Sequence, residues 1–246
     1  MISVCLASYN GEKYIKEQIS SILMQLSDDD ELIISDDGST DLTLSIINAF
    51  DDKRVKIFYN GQYADRHKFS RSHYKVTSNF ENALQHVSGD YIFLADQDDV
   101  WFSCKISVVI SALQDNKLVM SNYSIIDGDG ILVEDSHYIK NPIYNSFIKN
   151  IIYMPFHGCC MAFRKELLDE VMPFPKDLIM HDNWIGLFAS LRKYKIGYIE
   201  TPLIKYRRHQ NNVSPSLKQN TNPLWFKIQY RIVMLSQLFK RLLLNI

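Results

Sequence analysis

The sequence predicts an α/β protein with a mostly parallel central sheet flanked by helices, and three observations lead there. Strand-like and helix-like periodicities alternate from the first residues onward. Apolar runs end abruptly in acids, most clearly at Tyr91-Ile92-Phe93-Leu94-Ala95-Asp96-Gln97-Asp98-Asp99, as buried strands do where their carboxyl ends open into a site. The chain has 246 residues, of which 46% are hydrophobic, which suits one large α/β unit with a substantial core.

The elements follow in order. Ile2 to Ser8 reads as a strand, Tyr14 to Met24 as a helix, Glu31 to Ser35 as a strand, Leu42 to Phe50 as a helix and Val55 to Tyr59 as a strand. Residues Gly61 to Thr77, polar and rich in His, Arg and Lys, predict a long loop before a helix from Asn79 to Val87. A helix around Val100 to Leu113 follows the acidic run, and Asp127-Gly128-Asp129-Gly130 marks a tight turn between two short strands. His157-Gly158-Cys159-Cys160-Met161-Ala162-Phe163-Arg164 reads as a loop feeding a buried strand, with the paired thiols serving packing. A helix through Trp184, Ile185, Leu187, Phe188 and Leu191 begins at Asp182. In a parallel sheet with right-handed crossovers the loops after each strand share one edge. Residues 7–10, 36–39 and 96–99 should therefore converge.

Three acids within four residues repel one another unless a cation or strong donors offset them. Hard oxygen ligands favour Mg²⁺ or Mn²⁺, ions that take remaining ligands from a substrate's phosphates. The plain alternative is that these acids cap the following helix. No Gly-x-Gly-x-x-Gly follows the first strand, which disfavours a dehydrogenase. Asp36-Asp37-Gly38-Ser39-Thr40-Asp41 combines a turn glycine with capping residues, so it reads either as a site loop or as a simple strand-to-helix turn.

The net charge is −1, but it is unevenly spread: residues 201–246 hold eight Lys or Arg and no Asp or Glu. Residues 223–246 place Leu224, Trp225, Ile228, Ile232, Leu235, Leu238, Phe239 and Leu242 at helical spacing among Lys227, Arg231, Lys240 and Arg241. Such a basic amphipathic helix fits an anionic membrane, the body of the domain, or a second copy in a homodimer. Nucleic-acid binding is disfavoured because the basic residues gather on this one striped helix. The four cysteines show no metal-ligand spacing and read as reduced thiols of a cytoplasmic protein. No leader segment and no span of about 20 apolar residues is expected.

Ala7-Ser8-Tyr9-Asn10-Gly11-Glu12, Ile34-Ser35-Asp36-Asp37-Gly38-Ser39-Thr40-Asp41 and Gly89 to Asp99, in this order, resemble family 2 glycosyltransferases of the GT-A fold. His181-Asp182-Asn183-Trp184 and Tyr206-Arg207-Arg208-His209-Gln210-Asn211-Asn212-Val213-Ser214 resemble segments of its bacterial rhamnosyltransferase-like members. The resemblance implies a GT-A domain over residues 1–222, with 1–100 binding a nucleotide sugar and 101–222 the acceptor. It implies donor contacts from Ala7, Tyr9 and Glu12, with Tyr9 on a pyrimidine and Asp37 on its ring N–H. A carboxylate accepts a hydrogen bond from a pyrimidine imide, a donor that cytosine lacks, so uridine or thymidine sugars are favoured.

The same resemblance assigns Asp96 to the ribose and Asp98 to a metal, with Asp99 as the alternative ligand; by side-chain chemistry His209, with Arg207 and Arg208, either reaches the metal or diphosphate or forms a solvated basic strand end. Arg66, Lys68, Arg71 and Lys75 in the long loop are further diphosphate candidates. Inverting transfer needs a base for the acceptor hydroxyl, and Asp182 is the choice, with helix capping as its alternative role. His181 and Trp184 are acceptor candidates, Trp184 either stacking on a sugar or filling the core. The expectation is transfer, with inversion, from a dTDP- or UDP-linked sugar, dTDP-L-rhamnose foremost, to a cell-surface polysaccharide or lipid-linked glycan. A nucleotidylyltransferase would need a Gly-rich, basic first loop, and a non-catalytic scaffold subunit would have no use for a base.

Overall fold

A computed structural model describes residues 1–61, 71–137, 143–176, 178–210, 212 and 223–244. The described strands are β1 (Ile2–Ser8), β2 (Glu31–Asp36), β3 (Val55–Tyr59), β4 (Tyr91–Asp96), β5 (Val100–Trp101), β6 (Leu118–Ile126), β7 (Leu132–Glu134), β8 (Met161–Arg164) and β9 (Ile196–Arg207). They form one sheet in the order β3-β2-β1-β4-β8-β6-β9-β5, with β7 on β6. The helices are α1 (Ile15–Leu23), α2 (Thr43–Asn48), α3 (Arg71–Leu84), α4 (Lys105–Leu113), α5 (Phe147–Tyr153), α6 (Lys165–Val171), α7 (His181–Leu191) and α8 (Leu224–Leu244).

β1 pairs in parallel with β2 and β4, and β2 with β3, so this part of the sheet is wholly parallel. Val4, Cys5 and Leu6 of β1 and Ile92 to Ala95 of β4 are fully buried, the unbroken apolar pattern of strands covered on both faces. α1 follows from Ile15, Ile19 and Ile22, which recur at helical spacing and enter the same core. Beyond β4 the sheet changes character. β8 runs antiparallel to both β4 and β6, β5 antiparallel to β9, and β7 to β6 across the 127–130 turn, while β6 and β9 are parallel.

Three sequence expectations are corrected here. The helix after the acids does not start at Val100, because Val100 and Trp101 pair with β9 before α4 begins at Lys105. The acids therefore cap nothing: α4's cap residue is Cys104 and its first turn holds no acid. The expected loop 61–77 is helical from Arg71, since α3 begins two turns earlier than Asn79. Arg66 and Lys68 lie outside the described residues, and the side chain of Arg71 does as well. The apolar stripe of α8 is divided: Leu238 is buried and Leu235 and Leu242 pack on the core, but Leu224, Trp225, Ile228, Ile232 and Phe239 face outward.

Candidate active site

The loops after β1, β2 and β4 do converge, and hydrogen bonds show how. Asn10 donates its backbone N–H to Ser39 Oγ at 2.9 Å and accepts from the Thr40 N–H through its side chain at 2.9 Å. Gly11 N–H donates to Thr43 Oγ1 at 2.8 Å, and the Leu42 N–H donates to Glu12 Oε2 at 2.9 Å. Gln97 clasps the other side, accepting from the Tyr9 N–H at 2.9 Å and donating to the Tyr9 carbonyl at 3.0 Å. That approach requires glycine at position 11, where a Cβ would lie 2.3 Å from Gln97 Oε1. Glu12 is thus a fastener between loops, and its carboxylate already has a partner.

The two acids at the end of β2 divide their work. Asp36 is fully buried and accepts from Ser8 Oγ, Ser39 Oγ and the Gly38 and Ser39 N–H groups, so it shapes the turn. Asp37, beside it, accepts only a long 3.4 Å bond from Asn60 Nδ2 among the described contacts. Burial pushes its carboxyl up to about 7, the Lys75 cation opposes that shift, and the Asp36 charge adds to it. Lys75 Nζ also lies 5.5 Å from the ring of Tyr9, which stands half exposed at the loop tip. A buried acceptor and an exposed aromatic on neighbouring loops suit a planar heterocycle with an N–H.

The third loop holds a dense acid cluster. Asp96, Asp99 and Cys159 place one ligand atom each within 4.8 Å of one another. Asp99 is buried; its Oδ1 accepts from the Arg207 N–H at 3.0 Å, while its Oδ2 is buried with no partner among the described residues. Burial first, then the charges of Asp98 and Asp182, push Asp96 up to about 7, against the pull of Lys105. Asp99 is driven upward in the same way, by burial and by Asp98 and Asp96. Asp98 Oδ2 meets His209 Nε2 at 2.8 Å, and Asn212 Nδ2 at 3.3 Å. An orphaned carboxylate oxygen, clustered acids and an imidazole within one loop's reach form a donor set that fits a divalent ion.

The expected metal set is therefore split. Asp98 and His209 face each other, whereas Asp99 sits deeper, with Asp96 and the thiol of Cys159. The sequence reads Cys159 as a packing thiol, and nothing in the adjacent-cysteine pattern distinguishes it from Cys160. Lys105 was also missed. It is buried, donates to the Cys159 carbonyl at 3.0 Å and lies 3.9 Å from the Trp101 ring centroid, placing a cation behind the acids. Burial pulls its ammonium down to about 8, partly offset by the neighbouring cysteines and by Asp99 and Asp96.

Arg207 does not reach toward a diphosphate. It is buried, donating to the Asp98 carbonyl at 2.9 Å and to Glu17 Oε2 at 2.5 Å, with its guanidinium 4.7 Å from the Tyr14 ring. It fastens β9 to α1 and to the acidic loop, leaving half-buried Arg208 as the arginine of the pair nearer solvent. Asp182 lies in the first turn of α7, half-buried, with Oδ1 accepting from the Asn183 N–H at 2.7 Å and Nδ2 at 3.1 Å. Its charge acts on Asp96 and on His181. His181 stacks on Phe80, its ring centroid 4.2 Å away, and burial lowers its pKa. Trp184 is fully buried and donates to the Val171 carbonyl at 3.1 Å, so it fills the core and cannot stack on an acceptor sugar.

Similarity to known proteins agrees with this geometry. The model of "Glycosyl transferase family 2" matches residues 3–172. The dTDP-rhamnosyl transferase RfbG of Shigella flexneri is 30% identical over 84% of this chain and 72% of its own length. The UDP-Glc:alpha-D-GlcNAc-diphosphoundecaprenol beta-1,3-glucosyltransferase WfgD of Escherichia coli is 27% identical over 92% of this chain and 84% of its own. The structure of S. aureus TarS 1-349 with UDP-GlcNAc superposes with a TM-score of 0.66 at 17% identity, covering 95% of this chain, which spans 66% of that one. Mycobacterium tuberculosis glucosyl-3-phosphoglycerate synthase, solved with Mn²⁺, UDP and glucosyl-3-phosphoglycerate, gives 0.60 at 19% identity, covering 98% of this chain and 79% of its own. The chain is a member of glycosyl transferase family 2, an enzyme of nucleotide-sugar transfer built on the GT-A fold.

Proposed function

We propose that this enzyme transfers a sugar with inversion from a pyrimidine-nucleotide donor to a hydroxyl of a cell-surface polysaccharide or lipid-linked glycan, with Asp182 as general base. The observation that supports this best is the placement of Asp182, in the first turn of α7, against Gly158, where an added Cβ would lie 3.8 Å from the Asp182 Cβ; Gly158 precedes Cys159, which clusters with Asp96 and Asp99. A base belongs opposite the leaving group, and α7 and the acid cluster supply the two sides.

In this reading residues 1–100 hold the donor and 101–222 the acceptor. Tyr9 stacks on the base, Asp37 accepts its imide N–H, and Asp96 takes the ribose hydroxyls. Asp98 and His209 would hold a Mg²⁺ or Mn²⁺ ion, with Asp99 as the alternative ligand. When bound, that ion neutralises charge developing on the departing nucleotide diphosphate. The Asn183 hydrogen bonds fix one oxygen of Asp182 and so aim the carboxylate. It accepts the hydroxyl proton as the acceptor oxygen bonds to the anomeric carbon and the bond to the diphosphate breaks on the opposite face. The donor we favour is dTDP-L-rhamnose, in line with the RfbG similarity. A UDP-hexose is the second reading, favoured by the similarity to WfgD, which spans more of both chains. We place the enzyme in the cytoplasm, peripheral on the inner face of the plasma membrane.

Asp182→Asn tests the reading. Transfer should fall by roughly 10²–10⁴-fold, while nucleotide affinity stays within about twofold of wild type. Equal loss of both would remove Asp182 as the base.

A further inference from the structure

We propose that the outer face of α8, together with the exposed side of α5, is a docking surface for an anionic lipid bilayer. The inner face of α8 is already satisfied. Tyr230, Met234 and Leu238 are buried. Arg231 donates to the Ile151 and Ile152 carbonyls at 3.0 and 2.7 Å, and Arg241 donates to the Met172 carbonyl at 2.7 Å. Both arginines thus turn inward, onto chain carbonyls at the ends of α5 and α6.

What remains outside is apolar. Leu224, Trp225, Ile228, Ile232, Phe239 and Leu243 are each between 49% and 82% exposed. At about 100° per residue they fall in one arc roughly 100° wide, along about 29 Å of helix. Arg231 fastens the end of α5 beside this stripe, and Ile148, Ile152 and Tyr153 of α5 are exposed too. Monomeric proteins rarely present apolar surface of this extent without a partner.

Charge selects the occupant. α5 and α8 come from residues 136–165 and 201–246, and neither stretch contains an Asp or Glu, although the chain has 28. Lys149 and Lys240 are exposed and Lys227 half-buried on these two helices. A second copy of this face would set lysines against lysines with no acid to pair them. An anionic bilayer supplies both the apolar layer and the counter-charge, and Trp225 near one end suits the headgroup level. Tyr230, on the inner face of α8, feels the charge of Asp182. Resting on the reading of Asp182 as base, docking through α8 would hold the acceptor side of the site beside the lipid surface.

The test is flotation of the full chain with phosphatidylcholine vesicles, with and without phosphatidylglycerol, followed by tryptophan emission. Trp101 and Trp184 are buried, so a blue shift reports on Trp225. Binding should need phosphatidylglycerol, weaken with salt, and drop at least ~10-fold in the double variant I228E/I232E, which sets two carboxylates where apolar side chains would enter the bilayer. Both positions are exposed, so melting temperature and stabilisation by nucleotide should not change; this separates failure of docking from failure of the catalytic reading. No binding to either vesicle, equal binding to both, or unaltered binding by the variant would overturn the proposal. A dimer in sedimentation equilibrium that I228E/I232E dissociates, without vesicle binding, would assign the face to a second copy.

Discussion

The parallel region from β1 to β4 and the mixed region from β5 to β9 obey different logic. In the first, strand follows helix follows strand, all four strands run one way, and the described loops after β1, β2 and β4 meet at the carboxyl edge. In the second, partners are distant in sequence: Arg207 reaches Glu17, 190 residues away, and His209 reaches Asp98, 111 residues away. In the proposed function, recognition of the donor falls to loops that sheet topology brings together, and chemistry to side chains delivered from afar. The two regions should fail in different ways.

The largest effect should come from the contact that joins them at the acids. Asp98→Ala should lower metal-dependent turnover by roughly 10²–10³-fold and raise the Mn²⁺ concentration needed for half activity. His209→Ala should move the same parameters less, because Asp98 would remain. A turnover that keeps its wild-type metal dependence in Asp98→Ala would move the ligand role to Asp99 and its deeper neighbours.

Next comes the clamp. Arg207→Met removes a buried cation with partners on α1 and the acidic loop, and it should cost about 3 kcal/mol in denaturant unfolding. Loss of stability within about 0.5 kcal/mol of zero would mean that the two regions hold together without it.

Smaller, and confined to the parallel region, is the titration of Asp37. Its folded pKa, raised to about 7 chiefly by burial, lies above the ordinary carboxylate value. The carboxyl therefore favours the folded state when protonated: that contribution is full below about pH 4 and is lost as pH rises through about 7. If Asp37 accepts the base imide N–H as proposed, nucleotide binding runs the other way, because the ionised carboxylate is the better acceptor, so UDP or dTDP affinity should rise with pH up to about 7 and then level. Asp37→Asn should weaken binding about tenfold above that point and flatten much of both profiles, with Asp96, also near 7, leaving a residue of pH dependence. Unchanged profiles in calorimetric titration would remove Asp37 from base recognition.

The same contrast explains what could be read from the chain. Loops after parallel strands share an edge by topology alone, so the meeting of Tyr9, Asp37 and Asp96 was legible from alternation and from acids at strand ends. Asp36 and Asp37 look alike in sequence, and only the turn, with Ser8, Gly38 and Ser39 all donating to Asp36, shows which one is spent on structure. Lys105 and Cys159 left almost no trace. A lone lysine opening an apolar helix normally snorkels to solvent, and its burial against Trp101 follows from β5 pairing with β9, a contact across about a hundred residues. Trp184 differs for the related reason that a helix start beside Asp182 says nothing of which face a residue two positions on presents. The outward stripe of α8 was hidden because apolar residues on two adjoining arcs read as one pattern.

In the proposed function the converged loops of the parallel region bind a pyrimidine nucleotide with a divalent ion. Thermal stabilisation by a panel of nucleotides and nucleotide sugars, with and without Mn²⁺, addresses it most directly, since a ligand of the folded state raises the melting temperature. We expect a Mn²⁺-dependent rise with UDP or dTDP compounds and none with CDP or GDP compounds, the largest rise naming the donor. No rise with any of them, or an equal rise with all four bases, would contradict it.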